Sequence, residues 1–307
     1  MGADPKKWHL GLVGYGEVGR ILAEDLRAQG VTVSAYDLKL ESDAGAAMRD
    51  HAARHGVMTC ASHAALAPRA DLLISAVTAS QAVPVAQACA PCMRRGARFL
   101  DFNSASPKAK IRCAGLIDAT GAAYVEAAVM SSILPLRLRS PLLLGGKHAT
   151  RLQPMLAALG FDAKVVSKEL GAASAIKMCR SVMIKGLEAM VVESFTAARA
   201  YGVEDAVLAS LAQSFPGIDW ERQGAYFFQR VIEHGRRRSE EMREVAETVR
   251  EIGLVPCSAE GSAERQAFIA DLADAGLFGV PGSAQFARSA DWRIEADRLI
   301  ASVLPNR

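Results

Sequence analysis

His9-Leu10-Gly11-Leu12-Val13-Gly14-Tyr15-Gly16-Glu17-Val18-Gly19 opens the chain, and the helix-like segment Arg20 to Ala28 follows it. The apolar run reads as a buried strand, and the glycine spacing is what a dinucleotide-binding turn requires. Gly14 permits the tight turn, Gly16 lets the backbone approach a pyrophosphate, and Gly19 lets the helix pack on the strand. The backbone of Tyr15, Glu17 and Val18 completes the turn, so the phosphates would rest on amides at a helix N-terminus. After Gly30 a second strand pattern, Val31 to Tyr36, ends in Asp37. A carboxylate at that tip is placed to accept hydrogen bonds from the adenosine ribose and to repel a 2'-phosphate, which favours NAD. Lys39 offsets part of that repulsion, so NADP stays open.

The remaining composition narrows the class. The 307 residues are half hydrophobic and 22% charged, enough for one large or two ordinary cores. A formal charge of +3, with no basic tract interleaved with aromatics, argues against a nucleic-acid or anionic-membrane partner. No signal-type segment precedes the first strand, and no uncharged run approaches the ~18 residues that span a bilayer. A cytoplasmic protein is expected. The six cysteines, including the single pair Cys89-x-x-Cys92, fit reduced thiols. The histidines are scattered, and no metal is expected.

Strand and helix patterns alternate through the first half, as in a parallel doubly wound sheet. Helix-like stretches at 43–55 and 82–93 separate strand-like runs at 71–77, 97–102 and 122–129, and runs at 141–146 and 163–166 close the sheet. In such a sheet ligands lie outside the carboxyl ends of the strands. The polar turns Ser75 to Ser80 (with Val77 and Thr78), Asn103 to Ser106 and Met130 to Ser132 all fall there. From about Gly171 helical patterns take over: Ala173 to Tyr201 is long and nearly free of breakers, and Glu233 to Ile252 is charged and amphipathic. The expected architecture is a Rossmann-type α/β domain over 1–168 and an all-α domain over 169–307, joined by a long helix.

Four landmarks in this order resemble the β-hydroxyacid dehydrogenases, the superfamily of 3-hydroxyisobutyrate and 6-phosphogluconate dehydrogenases. They are the glycine turn, the turn Asp101-Phe102-Asn103-Ser104-Ala105-Ser106-Pro107, the substrate-turn segment Glu126 to Ser132, and the helix start Gly171 to Lys177. The segment Arg237-Arg238-Ser239-Glu240-Glu241-Met242 is similar to an R-R-x-x-E-M pattern in a little-characterised branch. The substrate turn carries Met130-Ser131-Ser132 where the family has serine and two glycines. The family's paired asparagines are Arg180 and Ser181, and a second family lysine is Glu240. The resemblance implies an NAD(P)-dependent oxidoreductase acting on a small 3-hydroxy acid or its oxo form. An oxidative decarboxylase, an imine reductase and a non-catalytic NAD-sensing protein are the alternatives.

Lys177, amid apolar neighbours near a helix start, is the expected general acid/base, since desolvation and the positive helix end both disfavour its ammonium. Ser181, one turn on, offers a hydrogen bond where the family uses asparagine. Lys185 suits a substrate carboxylate or solvent. Asn103 and Ser104 suit the nicotinamide carboxamide or the substrate, and Ser131 and Ser132 suit a carboxylate. Arg237 and Arg238 offer planar donors for an anion, although acids and bases at helical spacing around them also fit a solvated face. Trp220, Tyr226, Phe227 and Phe228 are expected in the helical core or a subunit interface. The apolar faces of the helical half suggest a homodimer, as the resemblance also implies.

Overall fold

The computed structural model describes residues 4–280, 283, 286 and 289–303. Eight strands form one sheet: β1 His9–Val13, β2 Thr32–Tyr36, β3 Met58–Thr59, β4 Leu72–Ser75, β5 Arg98–Asp101, β6 Ala123–Val129, β7 Leu142–Gly145 and β8 Ala163–Ser167. Their order is β3-β2-β1-β4-β5-β6-β7-β8. Helices α1 Glu17–Ala28, α2 Ala46–Arg54, α3 His63–Leu66, α4 Ala82–Cys89, α5 Pro107–Asp118, α6 Ile133–Leu136 and α7 Ala149–Ala158 connect them.

Residues alternate along each strand, and the alternation sorts the core into two layers. Leu10, Leu12, Leu72, Ile74, Leu100, Val125 and Ala127 belong to one buried cluster. Leu73, Phe99 and Tyr124, each one residue out of phase, belong to the other. Both faces of the sheet are therefore covered, as the unbroken apolar runs require.

β1 pairs with β2 and β4 in parallel, and β4, β5 and β6 continue in parallel. β7 runs antiparallel to β6, with β8 parallel to β7. The sheet is thus the expected parallel-dominated, doubly wound one, with a single antiparallel pairing at β6–β7. Only the single-turn α6 and a short 3-10 turn over Arg137–Arg139 connect β6 to β7. A parallel return is made by a crossover that usually carries a full helix across the sheet face, and the link over 130–141 holds only these single turns, so the strand runs back antiparallel.

The helical half comprises α8 Ala172–Tyr201, α9 Glu204–Ser214, α10 Trp220–Arg250, α11 Cys257–Asp274 and α12 Trp292–Val303. The chain divides into compact units at 1–178 and 179–307, inside α8. α10 begins well before Glu233, because Asp219 caps it by accepting from the Arg222 amide at 3.1 Å. Its added turns carry Trp220, Phe227 and Phe228 into the core of the second unit with Phe195, Ile269 and Trp292, whereas Tyr226 is half exposed. Among the described residues no helix is long and apolar enough to cross a membrane. All six cysteines are free thiols, and burial pushes the Cys89 thiol up to about 12.

Candidate active site

The strand order reverses direction between β1 and β4, and the turns after these strands meet there. Gly14 lies at φ 91°, and a Cβ on it would stand 2.3 Å from the Ala76 carbonyl oxygen. A Cβ on Gly19 would stand 2.1 Å from the Gly14 oxygen, so the helix can approach the turn only without a side chain. At Gly16 a Cβ would meet nothing within 4 Å. The hydrogen-bond ladder of α1 starts with the Arg20 amide on the Gly16 oxygen at 3.0 Å, so the amides of Glu17, Val18 and Gly19 have no acceptor within the helix. Closed on two sides and open at Gly16, the turn fits a pyrophosphate.

Asp37 completes this half. Its carboxylate accepts from the Tyr15 amide at 2.8 Å and from the Lys39 amide at 2.9 Å, which fixes an acid at the tip of β2 against the glycine turn. The Tyr15 side chain turns inward, fully buried, and its phenol is pushed up to about 12 by desolvation.

The turns after β4 and β5 are bound to each other. Asn103 accepts from the Val77 amide at 2.7 Å and donates to the Ser75 hydroxyl at 2.9 Å. Its own amide donates to Asp101 at 2.9 Å. Asp101 is fully buried and holds Lys110 Nζ at 2.9 Å and the Tyr124 hydroxyl at 2.7 Å. Burial and the Asp101 charge keep the Tyr124 phenol well above its ordinary range. Asn103 is thus a clamp between Val77 and Ser75, while Thr78 lies just beyond it at the open edge.

The Ser104 hydroxyl oxygen, next along, accepts from Lys177 Nζ at 2.6 Å. Two residues more than seventy positions apart are thereby brought together at the carboxyl end of β5. Glu126 places the lysine there. It is fully buried and accepts from the amides of Gly171 at 2.8 Å and Ala173 at 3.1 Å and from the Ser174 hydroxyl at 2.9 Å. A carboxylate on the first turn of α8 satisfies amides that the helix cannot, and it complements the helix dipole. Opposite it, a Cβ on Gly145 would lie 2.2 Å from the Glu126 carboxylate oxygen, so β7 needs glycine at that point. Glu126 is a positioning residue that no motif in the sequence singles out. Its signal was an acid inside the otherwise apolar β6.

Ser131 and Ser132 are exposed at the carboxyl end of β6, where the Ser131 hydroxyl donates to the Ser132 carbonyl at 3.2 Å. Ser181 follows Lys177 by one helical turn on α8 but belongs to the second unit. There Lys185 pairs with Glu241 at 2.7 Å, and Arg237 holds the other oxygen of Glu241 at 2.5 Å. Desolvation lowers the Lys185 pKa, with Glu241 opposing it. Arg238 is buried against Glu188, and desolvation lowers its pKa too. Each of these cations already holds an acid.

Residues 9–167 match the family model described as the NAD binding domain of 6-phosphogluconate dehydrogenase, and residues 198–269 match a domain of unknown function. A solved conserved hypothetical protein from Sinorhizobium meliloti is 32% identical, with 95% of each chain covered and a TM-score of 0.75. An uncharacterized 28.5 kDa protein of Methanothermus fervidus is 27% identical over 80% of this chain and 93% of its own length. The 2-(hydroxymethyl)glutarate dehydrogenase of Eubacterium barkeri is 25% identical over 58% of this chain and 60% of its own length. The first unit is an NAD(P)-binding domain.

Proposed function

The chain belongs to the β-hydroxyacid dehydrogenase family, and from that premise we propose that it is an NAD(P)-dependent oxidoreductase acting on a small 3-hydroxy acid or its oxo form. The observation that carries this reading is Lys177 on Ser104 at 2.6 Å, at the strand edge where the glycine turn also opens. The bound nicotinamide supplies the two-electron chemistry. Everything else falls to this chain. The amides of Glu17, Val18 and Gly19 hold the pyrophosphate, and Asp37 takes the ribose hydroxyls and favours NAD over NADP.

Lys177 Nζ takes the proton of the substrate hydroxyl in oxidation and returns it to the carbonyl oxygen in reduction. The Ser104 hydroxyl holds that nitrogen in position until substrate arrives. Ser131 and Ser132, exposed beside a short turn, are the carboxylate contacts of this reading. Lys185 and Arg238 are held by Glu241 and Glu188, and their contribution is to stiffen the helical unit. The large apolar faces of that unit favour a homodimer. The basic side chain at position 177 also favours alcohol oxidation over imine reduction, which does not require it.

The test is turnover against a panel of 3-hydroxy acids with NAD and NADP side by side, for the wild type and Lys177→Ala. Loss of the proton acceptor should lower kcat by about 10²- to 10⁴-fold with the affinity for NADH, read by fluorescence, unchanged. Unchanged turnover in the variant overturns the assignment of Lys177.

A further inference from the structure

Away from the strand edge, on α1 and α2, Glu24, His51 and His55 each offer one donor atom, and all three donors lie within 4.8 Å of one another. We propose that these three side chains form a site for one divalent cation, zinc above others, completed by water.

The local sequence sets up a chelate. His51 lies in α2 and His55 at its C-cap, four residues apart, so they share a helix face. Their rings stack with centroids 4.4 Å apart. The His55 ring nitrogens have no hydrogen-bond partner among the described residues. His51 is almost fully buried, and both of its nitrogens are directed. Nδ1 meets the Tyr15 hydroxyl at 2.9 Å and Nε2 meets Glu24 Oε1 at 2.8 Å. A metal-binding imidazole characteristically has its second nitrogen held by a partner that fixes the tautomer and the ring plane, and Tyr15 stands in that position.

Glu24 is oriented in the same way. Arg137 holds its other oxygen at 2.5 Å and reaches Asp25 at 2.7 Å, so the guanidinium is balanced by two acids, and Oε1, which faces His51 Nε2, is the oxygen offered to the cation. With neutral imidazoles, Glu24, Asp25 and Arg137 together carry one net negative charge, offset by Arg27, whose Nε meets the His55 carbonyl at 3.2 Å. Two imidazoles and a carboxylate match zinc, whose bonds of about 2.0–2.2 Å put tetrahedral donors about 3.3 Å apart. His51 Nε2 and Glu24 Oε1 need to separate by only about 0.5 Å to admit it. Thiolate-preferring ions lack a sulfur here, and oxygen-preferring ions lack oxygens.

The ion would tie α1 to α2 directly behind the glycine turn, through Tyr15. Calorimetric titration of the full chain with zinc chloride, in the absence of dinucleotide, tests the site. One zinc per chain is expected, with a rise in thermal midpoint. His55→Gln, whose side chain is partly exposed, should keep the zinc-free midpoint and lose affinity by at least about tenfold. Glu24→Gln, which also loosens the Arg137 and His51 contacts, should lose zinc affinity in the same way, and it decides the matter if the first variant folds poorly. Absence of binding to the wild type overturns the site; so does wild-type affinity in both variants, which moves the zinc to other groups such as the exposed thiols of Cys179 and Cys257.

Discussion

In the first unit, buried acids bind backbone and neutral side chains as well as cations. Glu126 holds two amides and a hydroxyl, and Asp101 holds an amide, a phenol and an ammonium. In the second unit, buried charges hold each other: Arg238 with Glu188, and Lys185 with Glu241. The first arrangement fixes loops at the end of a sheet and delivers Lys177 to a hydroxyl there. The second welds α10 to α8. The same residue types therefore serve different ends: Lys177 is brought to the Ser104 hydroxyl at a strand edge, whereas Arg238 and Lys185 are tied to acids within the helical frame.

The comparison breaks most visibly at Arg238. Removing it leaves Glu188 buried without its partner, so Arg238→Met should cost about 3–5 kcal/mol, whereas Glu188→Leu together with Arg238→Met should be close to neutral. Urea denaturation by circular dichroism measures both. If Arg238 served the substrate instead, the single variant would raise KM while leaving stability near wild type.

A smaller loss sharpens the other side. Glu126→Gln keeps the shape and can still accept from both amides, but it gives up the charge facing the first turn of α8. The expected cost is about 1–2 kcal/mol, from weaker hydrogen bonds and the lost interaction with the helix dipole. Because α8 carries Lys177, kcat should fall more than this destabilisation explains, with KM for the dinucleotide unchanged. A kcat equal to wild type would reduce Glu126 to a purely structural cap.

Legibility followed the same divide. The glycine turn, Asp37 and the strand runs were plain because each is encoded locally, by spacing or alternation. Lys177 was found through its helix start, and the second landmark turn yielded Asn103 and Ser104. What their side chains hold was not readable. The Asn103 amide is spent on Val77 and Ser75, and the Lys177 partner lies far away in the chain. Glu126 was visible only as a departure from a substrate-turn pattern, since its amide partners lie more than forty residues on. β3 has two paired residues, too few to show a period, and α7 carries Pro154 in its interior. The His51 and His55 spacing was open to view, but Glu24 joins them only when α1 and α2 pack.

The smallest expected effect lies at Asp37. Its carboxylate is bound to the Tyr15 and Lys39 amides, so it both supports the turn and repels a 2'-phosphate. In Asp37→Asn the side-chain oxygen can still accept from one amide, which preserves the turn, and the charge repulsion disappears. Lys39 then faces the phosphate unopposed. The ratio of kcat/KM for NAD over NADP should fall by about tenfold, equivalent to about 1.4 kcal/mol, mostly through better use of NADP. A loss of NAD activity with no gain for NADP would instead make Asp37 chiefly a support for the Tyr15 amide. The acid would then belong with Glu126 and Asp101, whose charge serves the backbone first.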